Sequence, residues 1–284
     1  MNIEFTKYHG LGNDFVLFEA SEVPVDATQA RAICDRHRGV GADGVLTLLP
    51  SSMADGRMHL YNADGSEPAM CGNGIRCLVK HMVESGRIDR ELVTVETPAG
   101  VLQCRPVRTA GGEVESVEVD MGPAEVDPDR FPARVPEPLL EKPIDVDGHQ
   151  VVANAVSVGV PHLVIFGEAS QETAGRLGPL LERHQLFPER TNVDFALMDG
   201  PGRIRLVVWE RGCGITRACG TGACATAAAA CLTGRAGYGQ WLDVHLPGGR
   251  LQVKVEEEPN RVWMRGPARR VFRGKLDLGD LELQ

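Results

Sequence analysis

Three things are missing from this chain of 284 residues. No apolar stretch approaches the roughly 20 residues that cross a bilayer as a helix, so no helical membrane span is expected. No Cys-x-x-Cys pair occurs, and the spacings Cys71/Cys77 and Cys219/Cys224 fit no common zinc arrangement. A structural metal is therefore not expected. An excess of positive charge is missing too: 30 Lys and Arg face 39 Asp and Glu, a formal net charge of −9. That balance argues against nucleic acid or an anionic membrane as the main partner, while leaving single basic residues able to hold an anionic substrate. The opening residues 1–7 read as a strand and lack the basic-then-apolar pattern of an export signal, so the expected location is cytoplasmic.

The composition, 43% hydrophobic and 24% charged, is that of a globular protein with material for two cores. Cysteine is well represented, at Cys34, Cys71, Cys77, Cys104, Cys213, Cys219, Cys224 and Cys231. An even number suits a disulfide framework, but the length and the missing export signal weigh against one. One signature is written twice: Cys71-Gly72-Asn73-Gly74 and Cys219-Gly220-Thr221-Gly222. Each opens an apolar helical run, and each run ends at the same distance in a Gly-Arg pair, Gly86-Arg87 and Gly234-Arg235.

The repetition extends along the chain. Gly12 to Phe18 is echoed by Gly159 to Phe166, and Arg36-His37 by Arg183-His184. Pro98 to Gln103 is echoed by Pro247 to Gln252, and Gly122-Pro123-Ala124 by Gly266-Pro267-Ala268. The order is kept and the offset drifts by only a few residues. The period is too long for a solenoid, so two similar domains are expected. The first spans residues 1–124, a proline-rich linker 125–148, and the second 149–268.

Helices are expected from Asp26 to Arg38 with Asp26 as cap, from Gly72 to Glu84, from Gln171 to His184 and from Gly220 to Leu232. Strands fill much of the remainder. The economical fold is α+β: two pseudo-symmetric domains, each a mixed, mostly antiparallel sheet wrapped round one central helix. The run Ala223 to Cys231, small and apolar on every face, suits a helix enclosed on all sides.

A cysteine at a helix N-terminus meets unpaired N–H groups and the positive end of the helix dipole, which lower a thiol's pKa. The glycines let an anion approach those same N–H groups. Two such loops, one per domain, would place a sulfur on each side of a small carboxylate. One sulfur as base and the other as acid is the equipment for inverting a stereocentre without a cofactor. A thiol–disulfide switch between Cys71 and Cys219 is the alternative from another class. Cys77, Cys104, Cys224 and Cys231 read instead as small buried residues.

Polar residues flank the pair. Asn62 and Glu210 stand at the same distance before their cysteines, and Arg211 follows Glu210. Asn13 and His162 lie in matching glycine-containing turns, and Asn192 begins a strand. Amides suit a zwitterion, and Arg211 suits a carboxylate. Glu210 and His162 are placed to tune a cysteine's acidity.

These motifs carry a specific resemblance. His9-Gly10-Leu11-Gly12-Asn13-Asp14-Phe15, Asn62-Ala63-Asp64-Gly65-Ser66, Cys71 to Cys77, Glu210-Arg211-Gly212 and Ala218 to Cys224 together resemble the diaminopimelate epimerases over essentially the full length. The resemblance implies cofactor-independent interconversion of LL- and meso-diaminopimelate, in lysine and peptidoglycan synthesis. It implies that Cys71 deprotonates the LL substrate and Cys219 protonates the opposite face. Asn13, Asn62, Gly72, Asn73, Asn192, Glu210, Arg211, Gly220 and Thr221 would bind substrate, and His162 and Glu210 would adjust cysteine acidity. It also implies a homodimer, and a final strand, 269–284, that returns to complete the first domain. Two positions depart from the family pattern: Val160 where Asn is frequent, and Gly44 where some members have Gln. Val160 removes an amide contact, which bears on substrate choice rather than on the reaction. A related amino-acid racemase is the nearest alternative.

Overall fold

The computed structural model describes residues 2–20 and 25–281. Met1 of the expected first strand and positions 282–284 of the expected last one lie outside the described residues. The chain divides into two compact units. The first runs up to Val119 and resumes from Gly266; the second runs from Asp120 to Arg265.

The first unit contains β1 (Asn2–Gly10), β2 (Asn13–Glu19), β3 (Gly44–Leu49), β4 (Gly56–Asn62), β5 (Val93–Thr97), β6 (Gly100–Arg108) and the start of β7 (Val114–Pro123). β1/β2 is antiparallel, β2/β3 parallel, β3/β4 antiparallel, β4/β5 parallel, and β5/β6 and β6/β7 antiparallel. The second unit contains β8 (Lys142–Val146), β9 (His149–Ser157), β10 (Pro161–Phe166), β11 (Asn192–Met198), β12 (Arg203–Glu210), β13 (Gly214–Ile215), β14 (Trp241–Leu246), β15 (Gly249–Val255) and β16 (Arg261–Pro267). From β9 onward its directions repeat those of the first unit. β9/β10 is antiparallel, β10/β11 parallel, β11/β12 antiparallel, β12/β14 parallel, and β14/β15 and β15/β16 antiparallel. One further strand is added at the same edge of each: β17 (Arg269–Asp277) along β1, and β8 along β9. The duplicated motifs thus correspond to a duplicated α+β topology.

Each sheet curls round one helix. In the first unit α2 (Gly72–Glu84) touches strands from β1 to β6, and residues 73 to 83 are buried. In the second, α4 (Gly220–Leu232) touches β9, β10, β11, β12, β14 and β15, with residues 222 to 231 buried. α4 needs little polar pairing because Ala, Cys and Gly leave little to satisfy; the hydroxyl of its buried Thr226 lies 3.5 Å from Asp194 Oδ2. α2 carries buried Arg76, Lys80 and His81, and each is paired. Lys80 Nζ donates to Glu84 Oε1 at 2.7 Å, and His81 Nε2 lies 2.7 Å from Glu19 Oε1. Pairing is the condition on which charged groups are buried at all.

Two further helices end earlier than expected. α1 (Ala27–Cys34) starts from Asp26, whose side chain forms a capping box with Gln29. It stops before Arg38 because the Asp35 carboxylate accepts the N–H groups of His37 and Arg38, closing a turn that competes with the helix. α3 (Gln171–Glu182) is capped by Ser170 and also stops short of His184.

Residues 125–148 differ from a plain linker. They lie in the second unit, and Phe131, Leu139, Ile144 and Val146 join its core with Leu163 and Phe195. Burying each such side chain is worth about 1.5–3 kcal/mol, which draws the segment onto the domain. Pro143 is tolerated within β8 because, among the described residues, that strand pairs with β9 alone, leaving its other side without a ladder to break.

Candidate active site

The Cys71 end of α2 is built from five linked side chains. Cys71 is the N-cap, extended at φ −141° and ψ 111°, and its sulfur accepts the Gly74 N–H at 3.4 Å. It lies 3.9 Å from Asn13 Oδ1, which also accepts from Asn73 Nδ2 at 3.1 Å. Asn13 Nδ2 in turn donates to Asp43 Oδ2 at 3.0 Å. At the other end, the fully buried Arg76 donates to Asn73 Oδ1 at 2.6 Å and to Gly72 O at 2.9 Å. Arg76 can only donate and an ionised Asp43 only accept, so both amides between them have a fixed orientation. Asp43 is itself held by Arg36 at 2.8 Å, and Asp14 by Lys7 at 2.6 Å.

The Cys219 end of α4 has the same cap and different partners. Cys219 is extended at φ −121° and ψ 114°, and its sulfur accepts the Gly222 N–H at 3.4 Å. Thr221 Oγ1 lies 3.4 Å from that sulfur and 3.0 Å from His162 Nε2. His162 Nδ1 lies 2.9 Å from Asp194 Oδ2, with both side chains fully buried. The oxygen is off the line of the ring N–H, so this is a close polar contact rather than an aligned hydrogen bond. Asn192 completes the group: its Oδ1 accepts the Arg211 N–H at 2.9 Å, and its Nδ2 faces Pro161 O at 3.3 Å and His162 Nε2 at 3.4 Å.

The strand registers map one site onto the other. Phe15 pairs with Gly44, and Gly44 with Asn62. His162 pairs with Asn192, and Val193 with Trp209, which carries Asn192 opposite Glu210. Phe15, Gly44, Leu46 and Asn62 therefore correspond to His162, Asn192, Asp194 and Glu210. Asn62 ends β4 and donates to Ser66 Oγ at 3.0 Å; Glu210 ends β12 and accepts from Thr216 Oγ1 at 2.5 Å. The exposed Arg211 spends one guanidinium N–H on Glu189 O at 2.8 Å. Val160 lies in the turn before β10.

The electrostatics of Cys219 correct one expectation. The helix N-terminus was expected to lower its pKa; burial pushes the thiol well up instead, and the carboxylates of Glu210 and Asp194 add to the rise. The Thr221 hydroxyl and the Gly222 N–H act the other way and are outweighed. Desolvation of a residue only 5% exposed explains the result. Burial also pushes Cys34 and Cys77 up to about 12 and Cys231 to about 11, which keeps them inert thiols. All eight cysteines are unbridged.

Asp43, Arg76 and Asp194 were not singled out from the sequence. Asp194 was accessible, since it stands two residues after Asn192 and so shares that face of β11. Arg76 lies one helical turn after Gly72. Asp43 left no such signal, because its role comes from a turn packed against β2. Among the described residues, no cluster of His, Cys, Asp and Glu is arranged to hold a metal ion. No helix among them is long and apolar enough to cross a membrane.

Similarity to known proteins runs along nearly the whole chain. The model of the diaminopimelate epimerase family matches residues 5–126 and 154–271. A diaminopimelate epimerase from Moorella thermoacetica is 46% identical over 281 residues, covering 97% of this chain and 100% of that one. Another, from Desulfitobacterium hafniense, is 44% identical over 282 residues, covering 96% and 98%. Among solved structures, a probable proline racemase from Agrobacterium radiobacter matches with a TM-score of 0.71 at 19% identity. That match covers 97% of this chain and 93% of the other, and it bears on the fold alone.

Proposed function

The chain belongs to the diaminopimelate epimerase family, and from that premise we propose how it interconverts LL- and meso-2,6-diaminopimelate, with Cys71 and Cys219 as the acid/base pair. It is an isomerase of lysine and peptidoglycan precursor synthesis. In the LL-to-meso direction Cys71, as thiolate, takes the α-proton. Cys219, as thiol, delivers a proton to the opposite face, and the reverse reaction exchanges the roles. No cofactor enters this scheme. The observation that carries it is the paired N-cap placement of the two sulfurs, combined with surroundings that keep Cys219 protonated.

The first N–H groups of an α-helix have no intrahelical partner. Those of Gly72 and Asn73 on α2, and of Gly220 and Thr221 on α4, suit the α-carboxylate whose charge grows as the proton leaves. Asn13, Asn62, Asn192, Glu210 and Arg211 are assigned to the remaining polar groups of the substrate. His162 and Glu210 are assigned to the acidity of Cys219. Incubation with LL-diaminopimelate in heavy water should yield meso product carrying α-deuterium. Absence of both under reducing conditions overturns the assignment, and activity confined to other amino acids in a substrate panel would place the effect of Val160 in substrate choice.

The enzyme works as a homodimer in this reading, in the reducing cytoplasm, without nucleic acid. The unbridged thiols of Cys34, Cys77, Cys219 and Cys231 support the compartment. Val271 and Phe272, 56% and 45% exposed on β17, support an apolar contact between copies. Sedimentation of the protein as a monomer at micromolar concentration would remove the dimer from the proposal.

A further inference from the structure

We propose that Asp194 is a positioning residue: it fixes the tautomer of His162 and thereby directs the Cys219 proton toward Thr221. The inference rests on the reading of Cys219 as the acid in the LL-to-meso direction.

The proton positions follow from groups whose roles admit no choice. The Arg211 backbone N–H can only donate, so the Asn192 atom it meets at 2.9 Å is the oxygen. The Asn192 amide nitrogen then faces Pro161 O, which can only accept, at 3.3 Å, and His162 Nε2 at 3.4 Å. Nε2 therefore presents its lone pair, and the neutral ring carries its proton on Nδ1. That proton sits against Asp194 Oδ2 at 2.9 Å; a bare Nδ1 lone pair there would face a buried carboxylate. With Nε2 as acceptor, the Thr221 hydroxyl at 3.0 Å donates to it. The sulfur of Cys219, 3.4 Å from Thr221 Oγ1, then meets oxygen lone pairs and points its S–H at them. The ordered series Cys219, Thr221, His162, Asp194 holds the proton on sulfur until substrate draws it away.

Packing alone does not call for a carboxylate at this place. The corresponding position in the first unit is Leu46, and the histidine position is Phe15. A Cβ on Gly74 would stand 3.3 Å from Leu46; a Cβ on Gly222 would stand 2.9 Å from Asp194 Oδ1. The two side chains occupy the same site behind the two cysteine-capped turns. Leucine fills it well, yet the second unit buries a charge there with Oδ1 lacking a hydrogen bond and Thr226 Oγ1 3.5 Å from Oδ2. A costly group kept where an apolar one fits points to chemistry.

The test combines histidine 15N NMR of the full chain with kinetics of Asp194→Asn. The ring signals of His162 are assigned by their loss in His162→Gln. Wild type should show the proton on Nδ1, and Asp194→Asn should move part of it to Nε2. The variant should lose about tenfold or more in kcat with KM little changed, a smaller loss than removal of the acid itself, about 10²–10⁴-fold. The groups facing Cys219 are Glu210 from β12, Asp194 from β11, and Thr221 with His162 behind it. Removing the Asp194 charge lets the thiol ionise at lower pH, so the alkaline limb of the LL-to-meso profile should move down in pH. Asp194→Leu, which restores the side chain of the first unit, should fold and show the same kinetic loss. A wild-type proton on Nε2, or an unmoved alkaline limb in Asp194→Asn, overturns the proposal. Full turnover in Cys219→Ser would instead overturn the acid/base assignment beneath it, and the tautomer measurement distinguishes the two failures.

Discussion

The N-termini of α2 and α4 are the same device set in different surroundings. Both begin at a cysteine in extended conformation, and both sulfurs accept the third N–H of the helix at 3.4 Å. Behind Cys71 stand neutral amides strung between Arg76 and Asp43, with Phe15 and Leu46 filling the strand face. Behind Cys219 stand His162, Asp194 and Glu210. Duplication therefore preserved the geometry of the sulfur and let its surroundings diverge, raising the pKa of the Cys219 thiol through burial and the carboxylates of Glu210 and Asp194. The proposed acid/base pair needs unlike sulfurs at rest, because two thiolates or two thiols cannot begin the same turnover.

The largest effects should come from breaking the pair itself. Cys71→Ala and Cys219→Ala should each lower epimerisation by about 10²–10⁴-fold. They should differ in isotope exchange. Cys219→Ala should still exchange the α-proton of the LL substrate, because Cys71 can remove a proton and return a deuteron on the same face. Cys71→Ala should exchange only the meso substrate. Mass spectrometry of substrate recovered from heavy water reads both, and symmetric loss would break the division of labour.

Next in size is Arg76. It is fully buried and serves Asn73 Oδ1, Gly72 O and Pro267 O. Arg76→Leu leaves such acceptors unpaired, at about 1–3 kcal/mol for each buried one. Urea unfolding should show a loss of several kcal/mol. Its counterpart on α4 is Cys224, whose replacement by Ala should cost far less; equal costs would mean that Arg76 does not anchor the amides.

The features that could be read along the chain were those written locally. The cysteine caps, the bounds of α2 and α4, and the α+β class follow from helix-start chemistry, Gly-Arg stops and repeated motifs. The early end of α1 was hidden because the Asp35 side chain, rather than a Gly or Pro, closes it. β8 was hidden by Pro143, which is harmless only at a sheet edge. The matched spacing of Asn62 and Glu210 before their cysteines could be read, and the strand registers set those residues at equivalent places. Asp43, Arg76 and Asp194 could not be read in the same way. Their partners are fixed by a packed turn, a helical repeat and a parallel strand register, and none of these leaves a contiguous motif.

The smallest effect is also the most direct comparison of the two sites. Gly74 and Gly222 hold the same place in their helices, and neither has the positive φ that would demand glycine. Space decides between them. A Cβ at Gly74 would stand 3.3 Å from Leu46 Cδ2, which can yield a few tenths of an ångström by a small side-chain shift. A Cβ at Gly222 would stand 2.9 Å from Asp194 Oδ1 and 3.1 Å from Val208 Cγ2. Asp194 has no such freedom, since it is fully buried against His162. Gly74→Ala should therefore be near neutral, with better helix propensity offsetting slight crowding. Gly222→Ala should cost about 1–3 kcal/mol in urea unfolding. In an Asp194→Leu background the cost of Gly222→Ala should fall toward that of Gly74→Ala, because the second site would then carry the first site's flexible side chain. An unchanged cost would place the conflict at Val208 and leave the carboxylate out of it.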